Sequence, residues 1–328
     1  MNMIKLGRKD TAISRIGLGT WAIGGGPAWG GDTDFEDSIG TIAGCKALGI
    51  NLVDTAPAYN FGNSEKIVGA ALARIKREDV VLITKCGITW KGTGSLFNKV
   101  GDTQLYKNLS KASIKEEIKE SLERLGTDYI DVYMTHWQSV EPFFTPISET
   151  LETLNELKAA GLIRAIGAAN VTVDHIEEYL RHGDLDIVQC KYSILDRKVE
   201  QEILPLCRKR GITFQAYSPL EQGLLTGTIR DDYVPPKGSA QNGKRWFERD
   251  NMRKALAMLR GWSGLCAKYS CSIPDLAIAW ILAQGDNITV LSGAVTIEQL
   301  AENAKAADIR LEDADIRAMR EAAEALDA

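Results

Sequence analysis

A repeated alternation of short apolar runs with amphipathic stretches limits the fold of this chain more than any other feature. Eight runs rich in Ile, Val and Leu recur, at residues 13–19, 50–56, 80–85, 130–136, 163–170, 185–190, 212–218 and 288–293. Strands that are almost continuously apolar are typical of a parallel sheet covered by helices, because both sides of each strand are buried. The alternation therefore predicts an α/β protein with parallel strands.

The stretches between these runs carry the spacing of amphipathic helices, most clearly at 114–125, 147–161 and 199–211. A glycine ends the last two patterns, as expected at a helix C-terminus. No Pro/Ser-rich linker or composition shift divides the chain, so we predict one domain over residues 1–328 with the architecture of a (β/α)8 TIM barrel. An open, doubly wound sheet is the main alternative.

The length of the chain exceeds what a bare barrel needs, which is about 250 residues. We assign the surplus among the 328 residues to two long βα loops at 86–108 and 223–251, an extra C-terminal helix from Glu312 to Ala325, and a β-hairpin within residues 3–17 that would cap the bottom of the barrel. Both loops follow strand ends, where barrel active sites are built, and this favours a function for them.

The charge balance argues against several classes of partner. Lys and Arg number 39 against 44 Asp and Glu, a net charge of -5, so no global field attracts nucleic acid or anionic lipid. The first residues lack the apolar core of a signal peptide, and no apolar run reaches the ~18 residues that a membrane span needs. We expect a cytoplasmic protein without nucleic-acid or membrane partners, and a homo-oligomer stays open.

Cysteine and histidine usage favours neither disulfides nor a metal centre. The six cysteines are scattered without C-x-x-C pairs, which is typical of reduced thiols. The three histidines form no H-E-x-x-H pattern and have no neighbouring cysteine pair, so clustered zinc ligands are missing from the sequence. We therefore predict no metal site.

Four polar side chains stand at, or just beyond, the ends of successive predicted strands. Asp54 lies near the end of the second run with Tyr59 beyond it, Lys85 ends the third and His136 ends the fourth. In a barrel the C-terminal ends of the strands converge on one mouth, whatever their separation in sequence. We therefore expect these four residues to meet.

Their chemistry predicts a proton-transfer site. A lysine that closes an apolar strand is partly desolvated and needs an anionic partner, which Asp54 supplies. A cation held beside Tyr59 stabilises the phenolate and is expected to lower the tyrosine pKa from ~10. Tyr59 would then protonate a carbonyl oxygen, while His136 would orient the carbonyl through a hydrogen bond.

The segments around these residues resemble the aldo-keto reductase superfamily, from about Ile4 to Asn303. The quoted matches are "DTAPAYNFGNSEKIVG", "ITKCG" and "YIDVYMTHW". The family's Asp, Tyr, Lys and His tetrad falls on these four positions: Asp54, Tyr59, Lys85 and His136. The resemblance implies an NAD(P)H-dependent oxidoreductase that reduces a small-molecule carbonyl substrate, with hydride from the nicotinamide and a proton from Tyr59.

Further matches, in "GLGTWAIGG", "IRAIGAAN", "YSPLEQGLLTG" and "SGAVTIEQLAEN", imply a dinucleotide stretched over the barrel mouth. By this resemblance Asn170 and Gln189 bond the carboxamide and Tyr217 stacks on the nicotinamide. The implied cofactor contacts are Thr20, Trp21, Asp54, Asn170, Gln189, Tyr217, Ser218, Pro219, Leu220, Gly223, Leu225, Gly293, Gln299 and Asn303. Of these, the pyrophosphate region falls to Ser218, Leu220, Gly223 and Leu225, and the adenosine end to Gly293, Gln299 and Asn303.

One departure from the family pattern bears on the choice of cofactor. NADPH-dependent relatives commonly carry Arg or Lys shortly after the glycine, where this chain has Val295 and Thr296. A 2′-phosphate is recognised by charge-assisted hydrogen bonds, and neither residue supplies a cation. NADH is therefore the expected cofactor, although Lys237, Lys244 or Arg245 in the second long loop leave NADPH open.

The resemblance also implies which residues meet the substrate. These are Trp21, Tyr59, His136 and Trp137, with Trp90, Phe143 and Phe144 as further candidates for the pocket wall. The chain looks like a bacterial branch of the family that includes NADH-dependent methylglyoxal reduction, which implies small aldehydes and 2-oxoaldehydes as substrates. Two alternatives remain: a sugar or polyol dehydrogenase with the same tetrad, and a dinucleotide-sensing regulatory subunit, which the presence of His136 disfavours.

Overall fold

A closed barrel of parallel strands forms the centre of the computed structural model, which describes residues 2 to 326. The strands of the described residues, in chain order, are β1 (Met3–Lys5), β2 (Ala12–Ser14), β3 (Ile16–Gly19), β4 (Leu52–Asp54), β5 (Val81–Cys86), β6 (Ile88–Thr89), β7 (Ser95–Val100), β8 (Thr103–Lys107), β9 (Ile130–Thr135), β10 (Ile163–Ala169), β11 (Ile187–Lys191), β12 (Thr213–Tyr217) and β13 (Ile288–Gly293). The barrel order is β10-β11-β12-β13-β3-β4-β5-β9. Each of the eight predicted runs contributes one barrel strand, so the TIM barrel is confirmed and the open sheet is wrong.

Helices cover the outside of the barrel. They are α1 (Phe35–Gly44), α2 (Asn63–Leu72), α3 (Lys111–Leu125), α4 (Ile147–Ala159), α5 (Val173–His182), α6 (Ile203–Arg210), α7 (Arg249–Arg260), α8 (Ser263–Tyr269), α9 (Ile273–Leu282), α10 (Ile297–Lys305) and α11 (Asp313–Glu324). Local signals set their ends: the Ser110 side chain accepts from the N–H of Ser113 at the start of α3, and left-handed Gly126 ends it.

The three helices predicted by spacing are confirmed, with one shortened. The pattern at 199–211 yields α6 only from Ile203, after a 3-10 turn at Lys198–Glu200. Pro205 explains the late start, because proline lacks an N–H and is accommodated in the first turn of a helix. The extra C-terminal helix is confirmed as α11.

The predicted N-terminal cap is also confirmed. Strands β1 and β2 pair as an antiparallel hairpin. Leu6 and Ile13 from this hairpin are buried against Leu52, Val81 and Val132, which line the barrel interior. The hairpin therefore seals the N-terminal end of the barrel, and only the opposite end remains for a site.

The two long loops contain more structure than the sequence predicted. Strands β6, β8 and β7 form a small antiparallel sheet within residues 86–108, with a turn at Gly101. A Gly-Asp pair between short runs was the available signal for this hairpin. Residues 223–251 contain the 3-10 turn Arg245–Phe247 and the first residues of α7. The N–H of Ala240 there donates to the carbonyl of Ala28 at 2.8 Å, which ties this segment to the loop after β3.

Within residues 2 to 326, no single helix has both the length and the apolar character to cross a bilayer. The pair α8 and α9 passes that test only together, with a 75° bend between them. The prediction of a single domain over residues 1–328 stays a prediction. Residue 1 and residues 327–328 lie outside the described range.

Candidate active site

The ammonium of Lys85 lies at the centre of the predicted site. Its Nζ donates to Asp54 Oδ1 at 2.6 Å, to the Thr55 carbonyl at 2.9 Å and to the Tyr59 hydroxyl at 3.1 Å. Lys85 and Asp54 are buried. Burial alone would lower the pKa of Lys85, but Asp54 and Tyr59 raise it above its usual value. All three N–H donors are engaged, so the cation is fixed in position.

The second oxygen of Asp54 accepts a hydrogen bond from across the barrel. Gln189 Nε2 donates to Asp54 Oδ2 at 2.8 Å and to Gln215 Oε1 at 2.6 Å. Strands β4 and β11 face each other in the closed order, so this bond spans the barrel interior. Because a carboxylate only accepts, the amide nitrogen of Gln189 must face Asp54 and its Oε1 must point elsewhere.

His136 stands directly after β9, beside the tyrosine. Its ring packs edge-on against Tyr59, with centroids 5.7 Å apart. The backbone of His136 is fixed on both sides: its backbone N–H donates to the Cys86 carbonyl at 2.9 Å, and its backbone carbonyl accepts from Asn170 Nδ2 at 2.9 Å. Burial, with a contribution from Lys85, holds the pKa of His136 well below its usual value. The imidazole is therefore neutral at physiological pH.

The expected lowering of the Tyr59 pKa is wrong in its net direction. Burial raises the pKa of Tyr59 above its usual value, while Lys85 lowers it and only partly offsets that effect. The lysine acts as the sequence predicted, but the loss of water around the phenol outweighs it. Tyr59 is thus a fully protonated donor at neutral pH.

The turn after Tyr59 fixes the position of the phenol. Asn60, Phe61 and Gly62 all have positive φ, between 50° and 85°. Non-glycine residues adopt this conformation at a cost, which is typical of functional sites. The Asn60 amide offsets it by donating to the Gly24 carbonyl at 2.9 Å. A side chain at Gly26 would meet Asn60 Oδ1 at 2.8 Å, so glycine is required there.

Comparison with known proteins assigns this geometry to a family. Residues 15–324 match the Aldo/keto reductase family. A protein of Escherichia coli named NADH-specific methylglyoxal reductase is 64% identical over 327 residues, covering 100% of both chains. The chain belongs to the aldo/keto reductase family.

Two further relatives agree with this assignment. An aldo-keto reductase of Bacillus subtilis is 40% identical over 289 residues, covering 87% of this chain and 83% of its own. The structure of a glycerol dehydrogenase from Gluconobacter oxydans superposes with a TM-score of 0.87 at 32% identity, covering 98% of this chain and 94% of that one. The resemblance seen in the sequence is confirmed, and the protein is an NAD(P)H-dependent oxidoreductase of carbonyl compounds.

Three of the predicted cofactor residues of this aldo-keto reductase lie together beside the tetrad. The Tyr217 hydroxyl donates to Asn170 Oδ1 at 2.8 Å. Gln189 Oε1 has no hydrogen-bond partner among residues 2 to 326. Positive φ at Asn170 (54°) and Ser218 (53°) turns the chain sharply at the ends of β10 and β12. A free acceptor, a side-chain amide and a partly exposed aromatic ring suit a carboxamide attached to a flat ring.

Several groups of the residues predicted to bind the pyrophosphate are already buried or hydrogen-bonded within the protein. Leu225 is fully buried and its side chain packs in the core, and its predicted contact with the pyrophosphate stays a prediction. The N–H groups of Gly223 and Leu225 already donate to the Leu220 carbonyl, at 3.0 and 3.1 Å. Pro219, next to left-handed Ser218, is buried. A cavity lined by Gly223, Thr226, Tyr233 and Gln241, among others, opens beside this turn.

Thr20 and Trp21 follow β3 and behave differently. Thr20 is fully buried, and its hydroxyl donates to the Asp54 carbonyl at 2.9 Å, so its side chain supports the site from below. Trp21 is 38% exposed, and its ring stacks on Tyr59 with centroids 6.1 Å apart. Trp21 therefore lies on the open side of the tyrosine, where a substrate contact is expected.

The side chains predicted to contact the adenosine end of the dinucleotide form hydrogen bonds with the protein backbone. Gln299 Oε1 accepts from the N–H of Val295 at 3.0 Å, and Thr296 caps α10 by accepting from the N–H of Gln299. Asn303 donates to the Gly293 carbonyl at 3.4 Å. Gly293 has open space around the position of a Cβ. The ligand contacts predicted for these residues remain predictions.

A cluster of Phe97, Lys107 and Trp137, which the sequence did not predict, lies on the rim of the barrel mouth, the outer edge formed by the βα loops. Lys107 Nζ from β8 lies 4.8 Å from the ring of Trp137 and 5.3 Å from that of Phe97. Burial lowers the pKa of Lys107. The other pocket candidates differ: Trp90 packs edge-on against Phe61, while Phe143 and Phe144 are exposed. Among these pocket candidates, Trp21 stacks on Tyr59, and Trp137 directly follows His136 in the chain.

The six cysteines take part in no disulfide and no candidate metal site among residues 2 to 326. All six cysteines are free thiols, four of them buried. No group of three or more His, Cys, Asp or Glu side chains suited to a metal occurs in the described part of the chain.

Proposed function

We propose that this protein is an NADH-dependent reductase of small aldehydes and 2-oxoaldehydes such as methylglyoxal. The observation that carries the proposal is the Asp54–Lys85–Tyr59 chain, in which a buried ion pair ends 3.1 Å from a phenol hydroxyl. Its 64% identity to a protein named NADH-specific methylglyoxal reductase supports the substrate and the cofactor.

In this mechanism the dinucleotide supplies the hydride when bound, and the side chains manage the proton. The Tyr59 hydroxyl transfers its proton to the substrate carbonyl oxygen as the carbonyl carbon is reduced. Lys85, held by Asp54, stabilises the phenolate that remains. Neutral His136 hydrogen-bonds the same oxygen and fixes its orientation, which fits the depressed pKa of that imidazole.

Cofactor binding in the proposal uses the residues at the ends of β10, β11 and β12. Asn170 and Gln189 hold the carboxamide, and Tyr217 stacks on the nicotinamide ring. Absence of a cationic side chain at Val295 and Thr296 supports NADH. The side-chain oxygen of Thr296 caps α10 by accepting from the N–H of Gln299.

Tyr59→Phe tests the role of the phenol. We expect kcat with NADH and methylglyoxal to fall by ~10³-fold, because general acid catalysis is lost, while the Kd for NADH changes little. Steady-state kinetics and fluorescence titration of NADH measure the two effects. Tyr106→Phe on the small sheet, outside the site, is the matched control. Full turnover by Tyr59→Phe would overturn the assignment.

A polyol dehydrogenase is the second candidate. It is favoured by the 0.87 TM-score to the glycerol dehydrogenase of Gluconobacter oxydans. The same tetrad would work in reverse, with Tyr59 as the base, but its raised pKa opposes this near neutral pH. Comparing kcat/KM for glycerol and sugars with NAD⁺ against methylglyoxal with NADH decides between the two directions.

We further propose that the protein acts in the cytoplasm. Its six free thiols support this, because such usage is typical of reducing compartments. Homo-oligomer formation and the single domain of 1–328 are proposed from the sequence alone. Light scattering after size-exclusion chromatography measures the first, and limited proteolysis tests the second.

A further inference from the structure

Gln215 occupies a position that neither the tetrad nor the predicted cofactor contacts include. It lies in the middle of β12 and is completely buried. Its Oε1 accepts the second N–H of Gln189 Nε2 at 2.6 Å, while its own Nε2 has no partner. A buried donor left unpaired is unfavourable, so an apolar residue would suit a purely structural position better.

The direction of each amide in this chain follows from one fixed point. Asp54 Oδ2 only accepts, so Gln189 must present Nε2 to it. With Nε2 placed between Asp54 and Gln215, Gln215 must present its oxygen to Gln189. These two acceptors use both N–H bonds of Gln189, and they prevent its amide from rotating.

We propose that Gln215 is a positioning residue, which holds the Gln189 amide so that its free Oε1 faces the dinucleotide carboxamide and its Nε2 remains on Asp54. The inference rests on the proposed function, because it assumes that Gln189 meets the carboxamide. Gln189 also donates to Asp54, and Asp54 pairs with Lys85, so the proposed carboxamide contact and the catalytic ion pair share one hydrogen-bonded chain. Loss of Gln215 removes one of the two acceptors that hold the Gln189 amide and leaves only Asp54 to orient it, so cofactor binding should weaken first.

The test is a double-mutant cycle on the Kd for NADH, measured by fluorescence titration, which requires no turnover. We expect Gln215→Met and Gln189→Leu each to raise the Kd by roughly tenfold. In the Gln189→Leu background, Gln215→Met should add less than about twofold, because its only route to the cofactor is already removed. Equal effects in both backgrounds, or none in either, would overturn the proposal.

Thr289→Val is the matched structural control. Thr289 is the register neighbour of Gln215 on β13, is fully buried, and donates only to the Ser14 carbonyl, at 3.0 Å. The Thr289→Val substitution should destabilise the barrel, but it should change the Kd for NADH by no more than about twofold. If Gln215→Met weakens binding no more than this control does, Gln215 is only structural.

Two further variants keep the test decisive. Gln215→Glu retains an acceptor for Gln189 and should bind NADH within about threefold of the wild type at pH 6. Gln215→Thr is too short to reach Gln189 and should match Gln215→Met. Failure of both Gln215→Met and Gln215→Thr to fold would overturn the proposal in favour of a stability role. Wild-type binding of NADH without reduction of any aldehyde would overturn the proposed function while leaving this cycle measurable.

Discussion

The floor and the rim of the barrel mouth are built in different ways. On the floor, Asp54, Lys85 and Gln189 are buried, and both carboxylate oxygens and all three ammonium protons are hydrogen-bonded. On the rim, Trp21 is partly exposed, and the Lys107 ammonium lies near the rings of Phe97 and Trp137 with no anionic partner in the described part of the chain. The floor therefore fixes the proton chemistry, and the rim is where contacts with ligands can vary.

The largest effect is expected when the floor loses its charge. Asp54→Asn leaves Lys85 as a buried cation without its anionic partner, which should lower the free energy of unfolding by about 3–5 kcal/mol and kcat by ~10²-fold. Urea denaturation and steady-state kinetics measure these changes.

A pair on the rim provides the contrast. Lys99 and Asp102 form an ion pair with side chains 59% and 110% exposed. Asp102→Asn should change the free energy of unfolding by less than about 0.5 kcal/mol. Equal losses for the two variants would remove the distinction between floor and rim.

The adenosine end should accept a new specificity without disturbing the floor. Val295→Arg supplies the cation that a 2′-phosphate needs, so the Kd for NADPH should fall by roughly tenfold or more. Val295→Gln is the neutral control, and Thr296 is left in place because it caps α10. Fluorescence titrations with both dinucleotides measure the result. An unchanged Kd for NADPH in Val295→Arg would place the 2′-phosphate elsewhere.

A smaller effect is expected from the buried imidazole as the pH falls. The folded-state pKa of His136 is depressed, whereas the unfolded chain protonates near pH 6.5. The unfolded state therefore binds more protons below that pH, and the wild type loses up to about 1.4 kcal/mol of stability per pH unit from this residue. Urea denaturation from pH 7 to 5 should show a steeper loss for the wild type than for His136→Asn. Parallel curves for the two proteins would contradict the assignment.

The smallest effect belongs to the rim aromatics. Trp137→Phe keeps an aromatic face toward Lys107 but shortens the pocket wall. We expect a two- to fivefold rise in the KM for methylglyoxal, with the Kd for NADH unchanged. Trp90→Phe, whose ring packs on Phe61, is the control. A larger change in the Kd for NADH than in the KM would mean that Trp137 belongs to the cofactor site.

The floor was predictable from sequence because its residues end parallel strands. Asp54, Lys85 and His136 each terminate or follow an apolar run, and the topology alone brings such ends together. Gln215 lies in the middle of a strand, and its contact with Gln189 depends on the register between two neighbouring strands, which the apolar pattern does not set. Phe97 and Lys107 lie on a hairpin that resembles an irregular loop in the sequence.

The direction of the Tyr59 pKa shift shows a second property that the sequence could not predict. The sequence identified the cation that lowers this pKa but not the extent to which the phenol is removed from water. That extent depends on the turn at Asn60 and Phe61 and on the stacked ring of Trp21, which come from separate segments. Burial is a property of the assembled fold, so pattern analysis predicts the partner more readily than the net shift.

The full set of hydrogen bonds on Lys85 has a consequence for protein engineering. Because none of its protons is left over, the ammonium has no direct bond to offer an incoming compound, and its influence passes only through the tyrosine oxygen. Libraries that seek bulkier ketones can therefore randomise Trp137 and the β7–β8 hairpin, which leaves the Lys85 contacts and the Trp21 ring beside Tyr59 unchanged. Substrate range and acid strength can be optimised separately in this scaffold.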